Sequence, residues 1–339
     1  MSAENVVRAG GVPVALLISL LAAIALAGVG ASLSIGAVGT SFTDALGYLW
    51  HDDGSNAAFS VRELRLPRVL CALGVGAALA LSGALIQTVT RNPLGDPGLT
   101  GVSGGAAFGV ALCLTLLSQS AGAIVLSGIA GGFLAATLTF LIAGRPNLQP
   151  SRLILAGVAV SIFFIAATSA VMILSRSSMQ TLYYWMIGGF INRDWVEWVM
   201  FWPWAVAGTI AAFALSPALR MLTFEDSMAA SMGLNATRWR LVAGSVSVIL
   251  AASAVAVAGP IAFVGFVAPH LARLCLGARH AVMWLWLCVS TLFGMAVVIW
   301  ADTIARAFFS GRAPAGVIIT IIGGIAFLVL MRSARRFKG

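Results

Sequence analysis

Runs of roughly twenty apolar residues recur along this chain, and each is the length an α-helix needs to cross a bilayer. A soluble core cannot absorb them all. Of the 339 residues, 60% are hydrophobic and only 9% are charged, against about a quarter charged in a soluble domain. The bilayer is therefore the solvent. That excludes a soluble enzyme, a secreted disulfide scaffold and a nucleic-acid binder, although the formal charge of +9 would otherwise have suggested the last.

Apolar windows bounded by charge, glycine and proline predict an all-α integral membrane protein of about ten transmembrane helices. They fall at 12–34, 67–89, 98–118, 122–143, 153–174, 196–216, 241–259, 261–276, 281–301 and 314–332. The whole chain, 1–339, reads as one polytopic transmembrane domain. The first window, Val12 to Leu33, follows Arg8 and holds Ala25-Leu26-Ala27, a small-residue triplet of the kind found at signal-peptide cleavage sites. Its length favours a retained first helix. Gly259-Pro260 breaks an otherwise continuous run and marks the weakest boundary.

With the N-terminus cytoplasmic and alternating loops, thirteen Lys and Arg fall inside against four acids, Glu4, Asp96, Glu225 and Asp226. Outside, Arg62, Arg65, Arg68, Arg176, Arg193, Arg306 and Arg312 are balanced by the seven remaining acids. The entire surplus sits on one face, the positive-inside pattern of a chain with both termini cytoplasmic.

Several chemistries are missing. Lys338 is the one lysine, at the C-terminal end, so the Gly-Lys-Ser/Thr of a phosphate-binding loop is absent. Work done by this chain must draw on a partner or an ion gradient. A gradient-coupled carrier places an ionisable group within a span, and the deepest acids, Asp96 and Asp302, lie near span ends. Gly101-Val102-Ser103-Gly104 has the form in which an intramembrane serine hydrolase presents its nucleophile, with His270 as a possible base. A tightly packed glycine-rich helix start explains the same residues more simply. His51, Asp52 and Asp53 read as a solvated loop before they read as a metal site, and no metal ligand set is assigned. Cys71, Cys113, Cys275 and Cys288 read as small apolar residues. Trp185, Trp195, Trp198, Trp202 and Trp204 read as an interfacial belt, with a stacking platform for a ring-bearing substrate as the lesser alternative.

The longest cytoplasmic connection, about 217–240, looks like a docking device. Thr223 is placed to cap a helix, with Asp226 three residues on completing a capping-box-like pair. Met228 and Met232 share one face, Ala229 and Ala230 keep the helix slim, Gly233 can end it, and Asn235 can cap the next span. A short apolar face with acids at its start suits a partner's groove. An acidic start argues against a lipid-surface helix, since the inner leaflet is negative.

Several segments resemble the FecCD family of ABC-importer permeases, the type II import fold. They include Leu64-Arg65-Leu66-Pro67-Arg68, Leu81-Ser82-Gly83-Ala84, Arg91-Asn92-Pro93-Leu94-Gly95-Asp96-Pro97-Gly98, Gly101 to Ala106 and Ser151 to Gly157. Trp185-Met186-Ile187-Gly188-Gly189, Ala258 to His270 and Ala301-Asp302-Thr303-Ile304-Ala305-Arg306 follow in the family's order. The resemblance implies a permease in the bacterial cytoplasmic (inner) membrane, paired with a second permease subunit that is a copy or a paralogue. Two cytoplasmic ABC ATPase subunits, which bind the ATP-Mg, and an extracytoplasmic substrate-binding protein complete the assembly; no cofactor is implied on this chain. Ferric siderophores are the leading cargo, with heme and cobalamin as the family's others. By position, Arg65, Arg68 and Arg306 match arginines that receive acids of the binding protein. Asn92, Leu94 and Ser151 match a cytoplasmic gate, and Asp226, Met228, Ala229, Met232 and Gly233 match the helix that couples to the ATPase. Two departures stand out: Arg312-Ala313-Pro314-Ala315-Gly316 lacks the family's usual acid and leucine there, and Met232 replaces a common leucine.

Overall fold

A computed structural model describes residues 13–36, 39–117, 120–143, 150–174, 186–308 and 314–336, and among them every regular element is helical. Inside hydrocarbon each backbone N–H and C=O needs an internal partner, which a helix supplies from its own segment. Helix α1 spans Val14–Ser34, and α2, Phe42–Trp50, starts where Ser41 Oγ accepts the Asp44 N–H. Helix α3 spans Leu66–Val89 and is entered without interruption through Asn56–Phe59 and a π-helical turn, Ser60–Arg65. The apolar window at 67–89 therefore understates this element, which runs unbroken for 34 residues from Asn56 to Val89. The extra turns carry Arg62, Glu63 and Arg65, which a hydropathy window reads as an end even though they are good helix formers.

Helices α4 (Val102–Leu112), α5 (Ala121–Ala143) and α6 (Pro150–Leu174) follow, then α7 (Trp195–Ala214) and α8 (Ser216–Leu222). The short helix α9 (Asp226–Ser231) leads into α10 (Ala236–Ala258). The chain ends with α11 (Val264–Leu276), α12 (Met283–Phe308) and α13 (Ala315–Arg336). Each of the ten expected windows contains a helix. Among the described residues seven helices are long and apolar enough to cross a membrane; Val102–Leu116 and Ala315–Ile325 are shorter apolar stretches. Trp185 and Arg312 lie outside the described residues.

Helix α3 is the axle of the bundle: from Val75 to Val89 it is buried throughout. Helices α10, α11 and α12 pack around it, and glycines set how close they come. A Cβ on Gly83 would collide with the Gly265 carbonyl on α11, and one on Gly76 would collide with that of Gly294 on α12. Lipid offers helices no hydrophobic drive to associate, so this close backbone contact is itself a main source of packing energy.

Between α10 and α11 the break foreseen at Gly259-Pro260 is a non-helical stretch, with Gly259 at φ 70° and Phe263 at φ 68°. One carbonyl at its start finds a partner in another irregular segment, which in turn is tied to the first turn of α13. Gly189 N–H donates to the Ala258 carbonyl at 2.7 Å, and Gly316 N–H to that of Gly188 at 3.0 Å. Irregular backbone survives here because such pairing within the protein replaces the missing helical bonds.

Candidate functional site: charged clusters at the two ends of α3

Helix α3 is about 36 Å long at 1.5 Å per residue, and a charged cluster sits at each of its ends. At the end expected outside, three arginines converge on one carboxylate and on the last carbonyls of α1. Arg68 forks onto Asp302, with Nε donating to Oδ2 at 2.9 Å and Nη2 to Oδ1 at 2.7 Å. Arg306, one turn further along α12, lies 3.3 Å from the same carboxylate. Asp302 is fully buried. Arg306 also donates to the carbonyls of Ile35 and Ser32 and to the Ser32 hydroxyl. Arg65 donates to the carbonyls of Leu33 at 2.6 Å and Ser34 at 3.0 Å, and to the Thr40 hydroxyl at 2.8 Å. Cations at a helix C-terminus satisfy its orphan carbonyls and oppose the negative end of its dipole.

The positions matched to binding-protein docking are therefore brought together, but they are not a free surface. Arg65 is only 4% exposed. Asp302, expected near a span end, is the hub of the cluster, a role that its separation of 234 residues from Arg68 hides in the sequence. Three guanidinium groups against one carboxylate leave a surplus of two positive charges.

The other cluster forms where α3 ends. Arg91 adopts φ 49°, the left-handed region uncommon for a residue with a Cβ. It closes the helix in a reverse turn, with Arg91 N–H on the Thr88 carbonyl and Asn92 N–H on that of Gln87. Asn92 Oδ1 then accepts the Leu94 N–H at 2.9 Å, and the Asn92 carbonyl accepts the Gly95 N–H at 3.0 Å. Gln87, buried within α3, donates to the Gly95 carbonyl at 3.2 Å and to that of Gly265 at 3.3 Å. Asn92 and Leu94, the expected gate positions, thus sit in one tightly bonded turn. Ser151 falls in the first turn of α6, and its side chain lies outside what is described.

The 217–240 loop corrects one expectation. Thr223 does not cap α9; its hydroxyl donates back to the Arg220 carbonyl at 2.6 Å and closes α8. Glu225 holds the cap position of α9 without a side-chain bond. Asp226 turns instead to two arginines, pairing with both Arg240 guanidinium nitrogens at 2.7 and 2.9 Å and with Arg91 at 2.6 Å. The Arg240 hydrogen bonds, helped by Arg91, hold its carboxyl below the usual carboxylate range. The other features stand as expected. Ala229 is buried while Met228 and Met232 are 50% and 43% exposed. Gly233 ends the helix at φ 81°, and Asn235 Oδ1 accepts the Arg238 N–H at 3.0 Å to start α10. Phe224, just before α9, is exposed as well.

The remaining candidates take structural roles. Asp52 caps the Gly54 N–H and lies 3.3 Å from Arg62, and Asp53 accepts the Ser55 N–H; hydrogen bonding to Ser55, through its side chain first and then its backbone, lowers the Asp53 pKa. Among the described residues no group of three or more His, Cys, Asp or Glu could hold a metal. No hydrogen bond joins Ser103 to His270 among the described residues, and His270 Nδ1 is buried without a partner. None of the four cysteines forms a disulfide. Trp195 donates to the Arg62 carbonyl and Trp198 stacks edge-on against Phe201, so these rings pack against protein; Trp202 is exposed.

A bundle of long apolar helices around a buried axle, with charge confined to its two ends, is the architecture of a multi-pass membrane transport protein. Residues 14–333 match the FecCD transport family, and the chain belongs to it. It is 36% identical over 312 residues to the Fe(3+)-citrate import system permease protein YfmD of Bacillus subtilis, covering 92% of each chain. It is 40% identical over 281 residues to the vitamin B12 import system permease protein BtuC of Salmonella paratyphi A, covering 81% of this chain and 84% of that one. A solved inward-facing ABC transporter described as metal-chelate type superposes with a TM-score of 0.80 at 29% identity, covering 94% of this chain and 99% of the other.

Proposed function

We propose that this chain is the permease subunit of an ATP-driven importer that carries ferric chelates of the siderophore or citrate type across the bacterial cytoplasmic membrane. The observation that carries the reading is the likeness to an Fe(3+)-citrate import permease over nine-tenths of both chains. In this reading the ten helices make ten crossings as one domain, with both termini inside, and a second permease subunit forms the other wall of the pathway. Two ATPase subunits bring the ATP-Mg, and this chain holds no cofactor of its own. The exposed Met228 and Met232 face enters a groove of the ATPase, with exposed Phe224 beside it, and Asn92, Leu94 and Ser151 line the inner gate. Outside, the two surplus charges around Arg65, Arg68 and Arg306 draw acidic groups of a binding protein, steering its approach more than tightening its grip.

A vitamin B12 cargo is the second reading, favoured by the 40% identity to a vitamin B12 permease. The test is ATPase activity of the assembled complex with its binding protein, across ferric citrate, ferric siderophores, heme and cobalamin. Stimulation by ferric chelates alone supports the first reading; stimulation by cobalamin alone replaces it with the second.

A further inference from the structure

The inner cluster holds a connection that the residue-by-residue resemblance does not assign. Three parts meet at Arg91: the gate turn it begins, the carbonyl end of α8, and the first residue of α9. Its Nε donates to the Leu222 carbonyl at 3.0 Å, and its Nη2 donates to the Phe224 carbonyl and to Asp226 Oδ1. Among the described residues these are the side-chain hydrogen bonds that join the gate turn to the loop of α9. Asp226 is held separately by Arg240 on α10, so the loop remains seated on the bundle without Arg91. What Arg91 adds is a second attachment, from the loop to the end of α3.

We propose that Arg91 is the positioning residue that transmits movement of the α9 loop to the Asn92–Leu94 turn, a proposal that rests on the importer reading above. Two features suit it to that task. The turn behaves as one piece, because the Asn92–Leu94 and Asn92–Gly95 bonds and the Gln87 bridge tie its backbone together. A displacement applied at Arg91 therefore moves Leu94 rather than dissipating in a loose loop. The left-handed backbone at Arg91 is the second feature. At a helix end where glycine would be the unstrained choice, an arginine is held, and its side chain makes all three bonds to the loop.

The glycine preference also makes the idea testable, since Arg91→Gly removes the guanidinium while suiting the turn. In the assembled importer carrying Cys275→Ser, a reporter cysteine is placed at Leu94 or, separately, at Met228. The thiol-labelling rate is compared with and without ATP and vanadate. The parent is expected to show a several-fold nucleotide-dependent change at both positions. Arg91→Gly is expected to keep the change at 228 and lose it at 94, with the ATPase still co-purifying. If Arg91→Gly does not assemble, Arg91→Lys carries the same test, because a lysine cannot serve three acceptors in the arginine's forked geometry. An undiminished change at 94 in the variant overturns the proposal. No response at either position in the parent overturns the importer reading, and this inference with it.

Discussion

Replacing Asp302 by asparagine tests whether the outer cluster holds the bundle together. Asp302 is fully buried, and the guanidinium side chains of Arg68 and Arg306 are only 14% and 8% exposed. The asparagine side chain keeps the shape and one acceptor but removes the sole carboxylate, so the local surplus rises from two positive charges to three. Removing one partner of a buried pair typically costs about 3–5 kcal/mol, because a charge is left uncompensated where water cannot reach it. The retained hydrogen bonds of Arg306 to α1 and the residual amide acceptor put the expected loss near the lower bound, about 3 kcal/mol. SDS titration of the purified permease in mixed micelles measures it. The companion variant is Arg68→Met with Asp302→Asn, which withdraws one cation with the anion and restores the surplus of two. It should be more stable than Asp302→Asn alone, with a coupling of about 1–3 kcal/mol in the double-mutant cycle. An Asp302→Asn variant within about 0.5 kcal/mol of wild type, the range of an ordinary surface substitution, refutes the reasoning. So does strict additivity of the two changes.

Gly83→Ala should destabilise the α3–α11 contact, since its Cβ would meet backbone that cannot rotate away, whereas Gly324→Ala, with open space around it, should be silent; thermal denaturation in detergent compares them. Overpacking of this kind costs roughly 1–3 kcal/mol, or more where backbone must shift. Met228→Asp with Met232→Asp places charge on an exposed face, so the permease should fold normally but lose the ATPase on co-purification; intact co-purification counts against the coupling role. The depressed Asp226 carboxyl makes the loop acid-sensitive. A group whose pKa falls on folding contributes stability above its unfolded value, and that contribution is lost as pH drops through the folded one. Hydrogen exchange across 222–240 should therefore rise below about pH 4, and Asp226→Asn should show the raised exchange already at neutral pH.

Hydropathy and residue order made the helices legible because a bilayer requires each one to stand on its own backbone hydrogen bonds. The same logic explains where the windows fell short. A window scores apolarity, so it stopped at Pro67 although the helical run leading into α3 begins at Asn56, and it gave no sign that α11 is only 13 residues long. The capping box failed for a related reason. Thr223 and Asp226 have the right spacing for a cap, but a carboxylate within reach of Arg91 and Arg240 gains more from two charge-assisted bonds than from one backbone N–H.

What the sequence could not disclose is which charges are partners. Arg68 and Asp302 are 234 positions apart, and Arg91 and Asp226 are 135 apart; no periodicity relates them. Counting by side assigned Arg65, Arg68 and Arg306 to the outer face and balanced them against external acids, as if they were solvated. In the folded chain Arg65 and Arg306 are spent on the carbonyl end of α1, and Arg68 on Asp302. A binding protein that draws on these arginines must therefore compete with α1 and α12 for them. On the proposed importer reading, docking outside and the seating of α1 would be linked equilibria: acids that took Arg306 or Arg68 would loosen that end of the bundle by differential contacts. The cluster at Asp226 has the same construction, a carboxylate shared by two arginines, one from α10 and one from the turn that ends α3. Each end of α3 is thus held by contacts that a partner could exchange.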